Sequence, residues 1–533
     1  MKYAYILLSL VLFSGTSTLI AQEDNVNFDD VKVIKEYSAQ LGDFDKINIE
    51  PILPVFDLSS RKYKYSVRAI PMKLKYEKPK IRPLALPEPK PIHLNKYLVK
   101  LGYGYPKFLN AELSVGYKSG NMNSNIDLSH LSIDNTLKIK DQKNSITKLD
   151  FNFFDRKNEM DLEYGLNGSI DVRYYNLYAV NDFSFDSLIQ TKRRLNIGDF
   201  SAIIKKEELI SNLNNKTEFN YQFIQLNTGK ILENIFTIKN TSEYNFNENT
   251  SLNLPVTAQT LIGTKTFALQ ANPFIQYSTR LFNIRAGGDM GKTQDLDFIY
   301  PYAEISSNLF DNFIEIFASV DNQIFNNTDY IKSQINPFMN FDKDSIATSV
   351  YNNYTLGVRN SLEGAKLEFI VTYQKIKNKL FFAPNFFDDR IFNTIYDGGK
   401  NIKLQVNLAY KILPQLEITG NVTNNIYTMD NIAKPWYNPA LTANFTTKTE
   451  LLSKKLFIQG ELFFASQSWY QDYYRNKKKL PSLFDISSKT GYKFHKSSSI
   501  FVEVNNIFAQ NYQKWYQYPS YGLNFLAGME LRF

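Results

Sequence analysis

The stretch "FLAGMELRF", Phe525 to Phe533, closes the sequence and alternates strictly. Phe525, Ala527, Met529, Leu531 and Phe533 make one set; Leu526, Gly528, Glu530 and Arg532 make the other. A period of two belongs to a β-strand whose two faces meet different surroundings. Chain ends are usually polar and frayed, so an apolar face kept to the last residue points to a strand edge that has to be paired.

The same pattern recurs upstream. In "MDLEYGLNGSIDVRY", Met160 to Tyr174, one face carries Met160, Leu162, Tyr164, Leu166, Ile170, Val172 and Tyr174. The other carries Asp161, Glu163, Asn167, Ser169, Asp171 and Arg173. A strand of that length exceeds the roughly five or six residues usual in soluble sheets. "IKLQVNLAYKILPQLEITGNVTNNIYT", Ile402 to Thr428, holds two such strands about a tight turn at Leu413, Pro414 and Gln415, which is an antiparallel hairpin. Further short turns fall at Lys157-Asn158, Glu248-Asn249, Leu281-Phe282, Asp311-Asn312, Glu363-Gly364, Ser453-Lys454 and Lys496-Ser497. Between them run longer aromatic and Asn-rich connections such as "NFFDDRIFNTIYDGG" and "SQSWYQDYYRNKKKLPS".

Short turns at one end of the hairpins and long loops at the other are the signature of a transmembrane barrel with short periplasmic turns. Lipid offers the backbone no hydrogen-bond partner, so the sheet has to close on itself, with apolar residues outside and polar ones inside. The expected fold is all-β, a transmembrane antiparallel β-barrel of about 22 strands between Lys96 and Phe533, an even number. "KYLVKLGYG", Lys96 to Gly104, is the expected partner of the final strand. A soluble propeller or sandwich fits less well: polar residues run through every strand, blade repeats are absent and aromatic residues gather near strand ends.

Composition agrees. Aromatic residues make up 15% of 533 residues, with 41 Phe and 35 Tyr against 3 Trp, which suits pleated, half-buried surfaces. The opening "MKYAYILLSLVLFSGTSTLIAQ" has a Lys, an apolar core and small residues before Ala21 and Gln22. Residues 1–21 are expected to be a signal peptide, since the apolar core is shorter than the ~20 residues of a spanning helix. Absence of Cys excludes disulfides, thiol chemistry and an N-terminal lipidated Cys. The net charge of +8 includes clusters at Lys62 to Lys80 and Lys477 to Lys479. In an exported chain these read as solvated charge, or as attraction for anionic headgroups or solutes, and not as a nucleic-acid surface. Residues 22–93 contain Pro51, Pro54, Pro71, Pro79, Pro83, Pro87, Pro89 and Pro91. That spacing favours an extended Pro-rich N-terminal segment, either a tether, a partner-binding stretch or an insert in the lumen; the barrel is expected over 94–533.

The last residues, "SSSIFVEVNNIFAQNYQKWYQYPSYGLNFLAGMELRF", resemble the C-terminal hairpin of TonB-dependent outer-membrane receptors, with Asn505, Asn506, Ile507, Phe508, Tyr512, Pro519, Gly522, Gly528 and Phe533 at the matching positions. The arrangement as a whole is similar to a short form of these receptors from Bacteroidota that lacks a recognisable plug domain. The resemblance implies a 22-stranded barrel, an outer-membrane location and transport. It also implies that "DDVKVIKEY", in particular Asp30, Val31, Lys32, Val33 and Ile34, is a TonB-box-like segment that adds a strand to its partner's sheet, and that Leu531 and Phe533 form the signal read by the barrel assembly machinery.

No catalytic constellation or cofactor motif is present. His93, His130 and His495 are scattered, and the loop acids Asp388, Asp389 and Asp397, like Asp342 and Asp344, lack the spacing of a calcium loop and read as solvated. Lumen-facing candidates are Asp161, Glu163, Asp171, Arg173, Glu530 and Arg532, with Lys403, Gln405, Glu417, Glu461 and Glu503 on other strands. The expected function is receptor-like transport across the outer membrane or a role in an envelope complex, with outer-membrane lipid, the assembly machinery and TonB or other envelope proteins as partners. A passive porin and a non-transporting structural subunit are the other readings. A wide open barrel would be an aqueous hole, so part of residues 22–93, or inward-folded loops, is expected to obstruct it.

Overall fold

The computed structural model describes residues 96–533 except 137, 140–141, 158–159, 178–191, 228–229, 263–265, 311–312, 342–345, 363, 386–387, 389 and 473. The signal peptide, the Pro-rich segment, His93 and Asp30 to Ile34 lie outside the described residues, as do Asp342, Asp344 and Asp389.

The chain forms one closed antiparallel barrel of 22 strands, in which β10 (Phe267–Ala271) and β11 (Phe274–Ser278) are two halves of a strand interrupted at Asn272 and Pro273. Each strand pairs with its neighbours in sequence, and the ring closes between β1 (Tyr97–Tyr105) and β27 (Asn524–Arg532). The seam runs from Leu98 opposite Arg532 to Tyr105 opposite Phe525. Beyond the ladder, Tyr97 N–H donates to the Phe533 carbonyl at 2.8 Å and Phe533 N–H returns a bond at 3.0 Å. The last residue is a paired strand end, and the expected partner segment is the one observed.

Alternation sets the two faces. Leu101, Tyr103, Leu166, Leu356, Phe369 and Met529 are exposed on the outer surface, where the solvent must be lipid, while their sequence neighbours point inward. Inside the seam, Gly102 lies opposite Gly528, and the missing side chains leave room for the Phe501 ring over both. Phe501 packs there with Phe108, Ile133 and Leu526. A Cβ on Gly104 would run into the Phe525 carbonyl and one on Gly528 into the Leu101 carbonyl. Glycine is therefore required by close approach of the two closing backbones.

The alternation of short and long connections is clear from residue 327 onward. Outer loops span 327–347, 385–391, 430–440, 466–482 and 506–523, against periplasmic turns such as 364, 414–415 and 496–497. Earlier outer connections at 106–107 and 293–296 are as short as the turns. The loops contain small elements of their own: helix α1 (Asp329–Ile335), hairpin β21 (Ser468–Gln471) with β22 (Lys477–Leu480), and the pair β25 (Gln513–Trp515) and β26 (Tyr518–Pro519).

Two outcomes check this architecture. Gly104→Val is expected to abolish the fast-migrating, heat-modifiable folded band on gels, because the seam cannot close. Leu356→Arg, on the outer face, should destabilise the barrel by roughly 2–4 kcal/mol if Leu356 lies near the bilayer midplane, measured by denaturant titration in vesicles.

Candidate functional site

The inner wall is assembled from the polar partners of the outward apolar residues. Leu166, Ile170 and Tyr174 face outward on β5 (Leu162–Asn176), so Glu163, Asp171 and Arg173 lie on the opposite face. Glu163 is paired with Arg156 at 3.1 Å and Lys205 at 3.6 Å, and Arg173 with Asp171 at 2.7 Å. Glu530 and Arg532 bond to each other at 2.6 Å at the periplasmic end of β27. Asp161 differs from the sequence reading: it sits in the turn before β5 with φ +46, so strand alternation does not orient it. The other five candidates thus form separate wall contacts and do not converge. The better exposed of these, such as the pairing of Arg532 with Glu530, contribute about 0–1 kcal/mol, whereas Asp171 and Arg173 are largely buried.

Two other features organise the wall. A side-chain belt crosses β14 (Ile314–Asn326), β15 (Thr348–Leu362), β16 (Ala365–Pro384), β17 (Phe392–Leu413) and β18 (Leu416–Met429). Asn401 donates to Gln374 at 2.8 Å and to Asn425 at 3.0 Å, Gln374 to Asn353 at 2.9 Å, and Asn353 to Asp321 at 2.8 Å. On the wall formed by β3 (Met122–Asp134), β4 (Lys143–Lys157), β5 and β6 (Lys192–Ile210), a polar recess of about 450 Å³ is lined by Asp127, Asp150, Asp199, Asn125, Asn167 and Ser169. No group of three or more metal-ligating side chains occurs among the described residues.

The outer mouth is the most strongly constructed part. Tyr175, Leu195, Ile197, Ile224 and Leu232 come from strands β5 to β8 (Lys230–Asn247) and from β7 (Leu213–Leu226) between them. They share one buried cluster with Phe382 and Phe392 of β16 and β17, nearly opposite in the ring, and with the loop residues Phe338, Met339, Trp515 and Tyr518. Phe338 stacks on Tyr518 at 3.5 Å between ring centroids, and Phe392 lies 5.6 Å from Trp515. Hydrogen bonds tie the loops together across the mouth. Buried Arg193 donates to the Pro337 and Met339 carbonyls at 2.8 Å each. Tyr518 Oη donates to the Arg390 carbonyl at 2.6 Å, and Gln142 Nε2 to the Pro519 carbonyl at 2.9 Å. Asp388 binds Arg390 through both oxygens at 2.8 and 3.0 Å, and Asp397 accepts from the backbones of Asn431 and Ile432. These two acids, expected to be solvated, are buried because the loops around them fold inward.

Helix α1 anchors this cap to the wall. Lys332 is fully buried and pairs with Asp329 at 2.8 Å, while Glu233 of β8 accepts from Tyr330 N–H at 2.9 Å and Tyr330 Oη reaches Asp199 at 3.2 Å. Lys332 and the loop aromatics were not legible as a site, since loops carry no period, and the alternation of the strands that hold Arg193 and Glu233 gives their face but not the loop residues they meet. One signal was available: all three Trp, Trp436, Trp469 and Trp515, fall between barrel strands in the outer connections, and two of them are buried.

Neither protein-family models nor curated proteins match the chain. Solved structures do, over the barrel. The FrpB iron transporter of Neisseria meningitidis (F5-1 variant) matches with a TM-score of 0.63 at 11% identity, covering 82% of this chain and 82% of that one. The barrel has the fold of TonB-dependent outer-membrane receptors. The outer membrane receptor FpvA of Pseudomonas aeruginosa PAO1, bound to pyoverdine, gives 0.60 at 14% identity over 84% and 79%. The ferric-catecholate import receptor Fiu of E. coli K12 in its closed form gives 0.59 at 11% over 82% and 82%. With the apolar outer belt, this fold makes the protein an outer-membrane barrel.

Glu233→Ala removes the carboxylate that accepts from Tyr330 N–H and is expected to loosen helix α1; hydrogen exchange of residues 327–341 should then show less protection than in the wild type.

Proposed function

We propose that this protein is a gated, receptor-like transport barrel of the outer membrane and neither an enzyme nor a freely open porin. The observation that carries the reading is the cap: one apolar cluster, cross-tied by Arg193, Gln142 and Tyr518, joins nearly opposite walls at the outer mouth. A passive channel needs a water-filled path, whereas packed Phe, Trp and Met side chains exclude water. Solute entry then requires the loops to part, and a ligand or partner that binds the parted state better supplies the bias.

In this reading Asp30, Val31, Lys32, Val33 and Ile34 recruit TonB or a related envelope partner by strand addition. Leu531 and Phe533 present the terminal strand to the barrel assembly machinery, and in sequence order the Pro-rich residues 22–93 precede the barrel as a plug domain does in larger receptors. Planar-bilayer recordings test the central point. Wild-type protein is expected to show little steady conductance, and Arg193→Ala combined with Phe392→Ala to raise it several-fold. Large, long-lived channels from the wild type would sink the gated reading in favour of a porin. For the partner segment, scrambling Asp30 to Ile34 should abolish binding of the full chain to purified TonB C-terminal domain; unchanged binding would remove that role.

A further inference from the structure

Strand β16 carries Lys375, Lys377 and Lys379 at alternate positions. In an unbroken strand all three would share the outward face of Phe369 and Val371, which are exposed. Lys375 does so, its ammonium 5.7 Å from the ring centre of outward Tyr354. Between Ile376 and Lys379, however, the pairing with β17 shifts: Ile376 lies opposite Gly399 and Lys379 opposite Asp397. Three steps on one strand against two on the other define a β-bulge, and a bulge re-aims the side chains beyond it. Its extra residue includes Asn378 at φ +55, held by Asn378 Nδ2 donating to the Thr348 carbonyl at 3.2 Å and by Ser349 Oγ donating to the Asn378 carbonyl at 2.5 Å.

The consequence is that Lys379 turns into the lumen. Its ammonium lies 5.9, 5.5 and 5.3 Å from the ring centres of Tyr351, Phe381 and Tyr427. Exposed Tyr354 and Ile426 place Tyr351 and Tyr427 on the inner face. The only carboxylate directly opposite in register, Asp397, is occupied by Asn431 and Ile432. Neither the ammonium nor the Tyr351 and Tyr427 hydroxyls has a hydrogen bond or ion pair among the described residues. A cation set between rings, without a counter-ion and beside two free phenol donors, has the composition of an anion receptor: ring faces hold the ammonium in place while its N–H groups remain available for charge-assisted bonds.

We infer that the bulge-directed Lys379, with the hydroxyls of Tyr351 and Tyr427 and the ring of Phe381, is a lumenal binding site for the carboxylate of a small aromatic or apolar anion. The lysine supplies the charge, the phenols donate to the second oxygen and their rings pack against the ligand body, while buried Phe381 backs the ammonium from behind. This deepens the receptor reading by giving its lumen a ligand class, and it rests on that reading for its role in transport.

Full-length protein in nanodiscs, titrated with 4-fluorobenzoate and followed by ¹⁹F NMR, tests it. Saturable binding is expected for the wild type, with none for 4-fluorobenzylamine, its cationic counterpart. Lys379→Gln should weaken binding by roughly tenfold or more, the effect of losing one charge-assisted hydrogen bond, and Tyr351→Phe with Tyr427→Phe by less. Lys403→Gln, on the same strand wall, should leave it unchanged. Deleting Asn378 keeps the lysine but removes the bulge, and should abolish binding in a barrel that still shows the heat-modifiable folded band. Absence of saturable binding in the wild type, equal binding of the amine, or full binding by Lys379→Gln would overturn the site. Binding to the lysine and conductance through the mouth are read separately, so a failed titration leaves the conductance result standing, and a freely conducting wild type leaves the lysine site standing.

Discussion

Backbone amides cannot cross lipid unpaired. Each N–H and C=O left without a partner in the hydrocarbon would cost several kcal/mol, and a sheet in that medium has no tolerable edge. Everything in this protein follows from meeting that demand at one place, the junction of Tyr97–Tyr105 with Asn524–Arg532. The junction is built closely: opposed Gly102 and Gly528 let Phe501 cover the inside of the seam, and the terminal residue contributes its own amide and carbonyl. Outward alternation of Phe525, Ala527, Met529, Leu531 and Phe533 then matches the lipid.

Closure at this circumference creates a second problem, an opening wide enough to leak. The outer loops answer it with the same chemistry that makes soluble cores. Apolar side chains from several connections and from the raised ends of long strands such as β16 and β17 bury one another at the mouth. Burial of Lys332, Asp329, Glu233 and Arg193 within or against this cap would be costly without compensation, and each is engaged by a specific partner in the helix, the wall or a loop carbonyl. Such paired charges fix how the cap sits on the wall.

Below the cap the lumen has two chemically different sides. One, on β3 to β6, is rich in Asp, Asn and Ser; the other presents an amide belt, an uncompensated lysine and aromatic rings. That polarity is a property of the assembled ring, since the residues concerned are separated by hundreds of positions in sequence.

Strand period decided the barrel, because lipid outside and water inside impose a two-residue alternation that any reader of Met160 to Tyr174 or Phe525 to Phe533 can follow. Hairpin turns on described residues, such as Pro414-Gln415 and Lys496-Ser497, the seam partner and the outward set were legible for the same reason, while the expected turns at Asn158, Asp311-Asn312 and Glu363 lie outside the described residues. Where a bulge shifts the phase, as at Asn378, the alternation misdirects: Lys379 reads as an outward residue and is an inward one. Asp161 likewise belongs to a turn whose φ no period reveals. The burial of Asp388, Asp397 and Lys332 and the joining of Phe392, Trp515 and Phe338 were beyond the sequence. Local patterning reports which face a strand residue takes, whereas loops are placed by contacts between segments far apart in the chain, and only the closed ring brings those segments to one mouth.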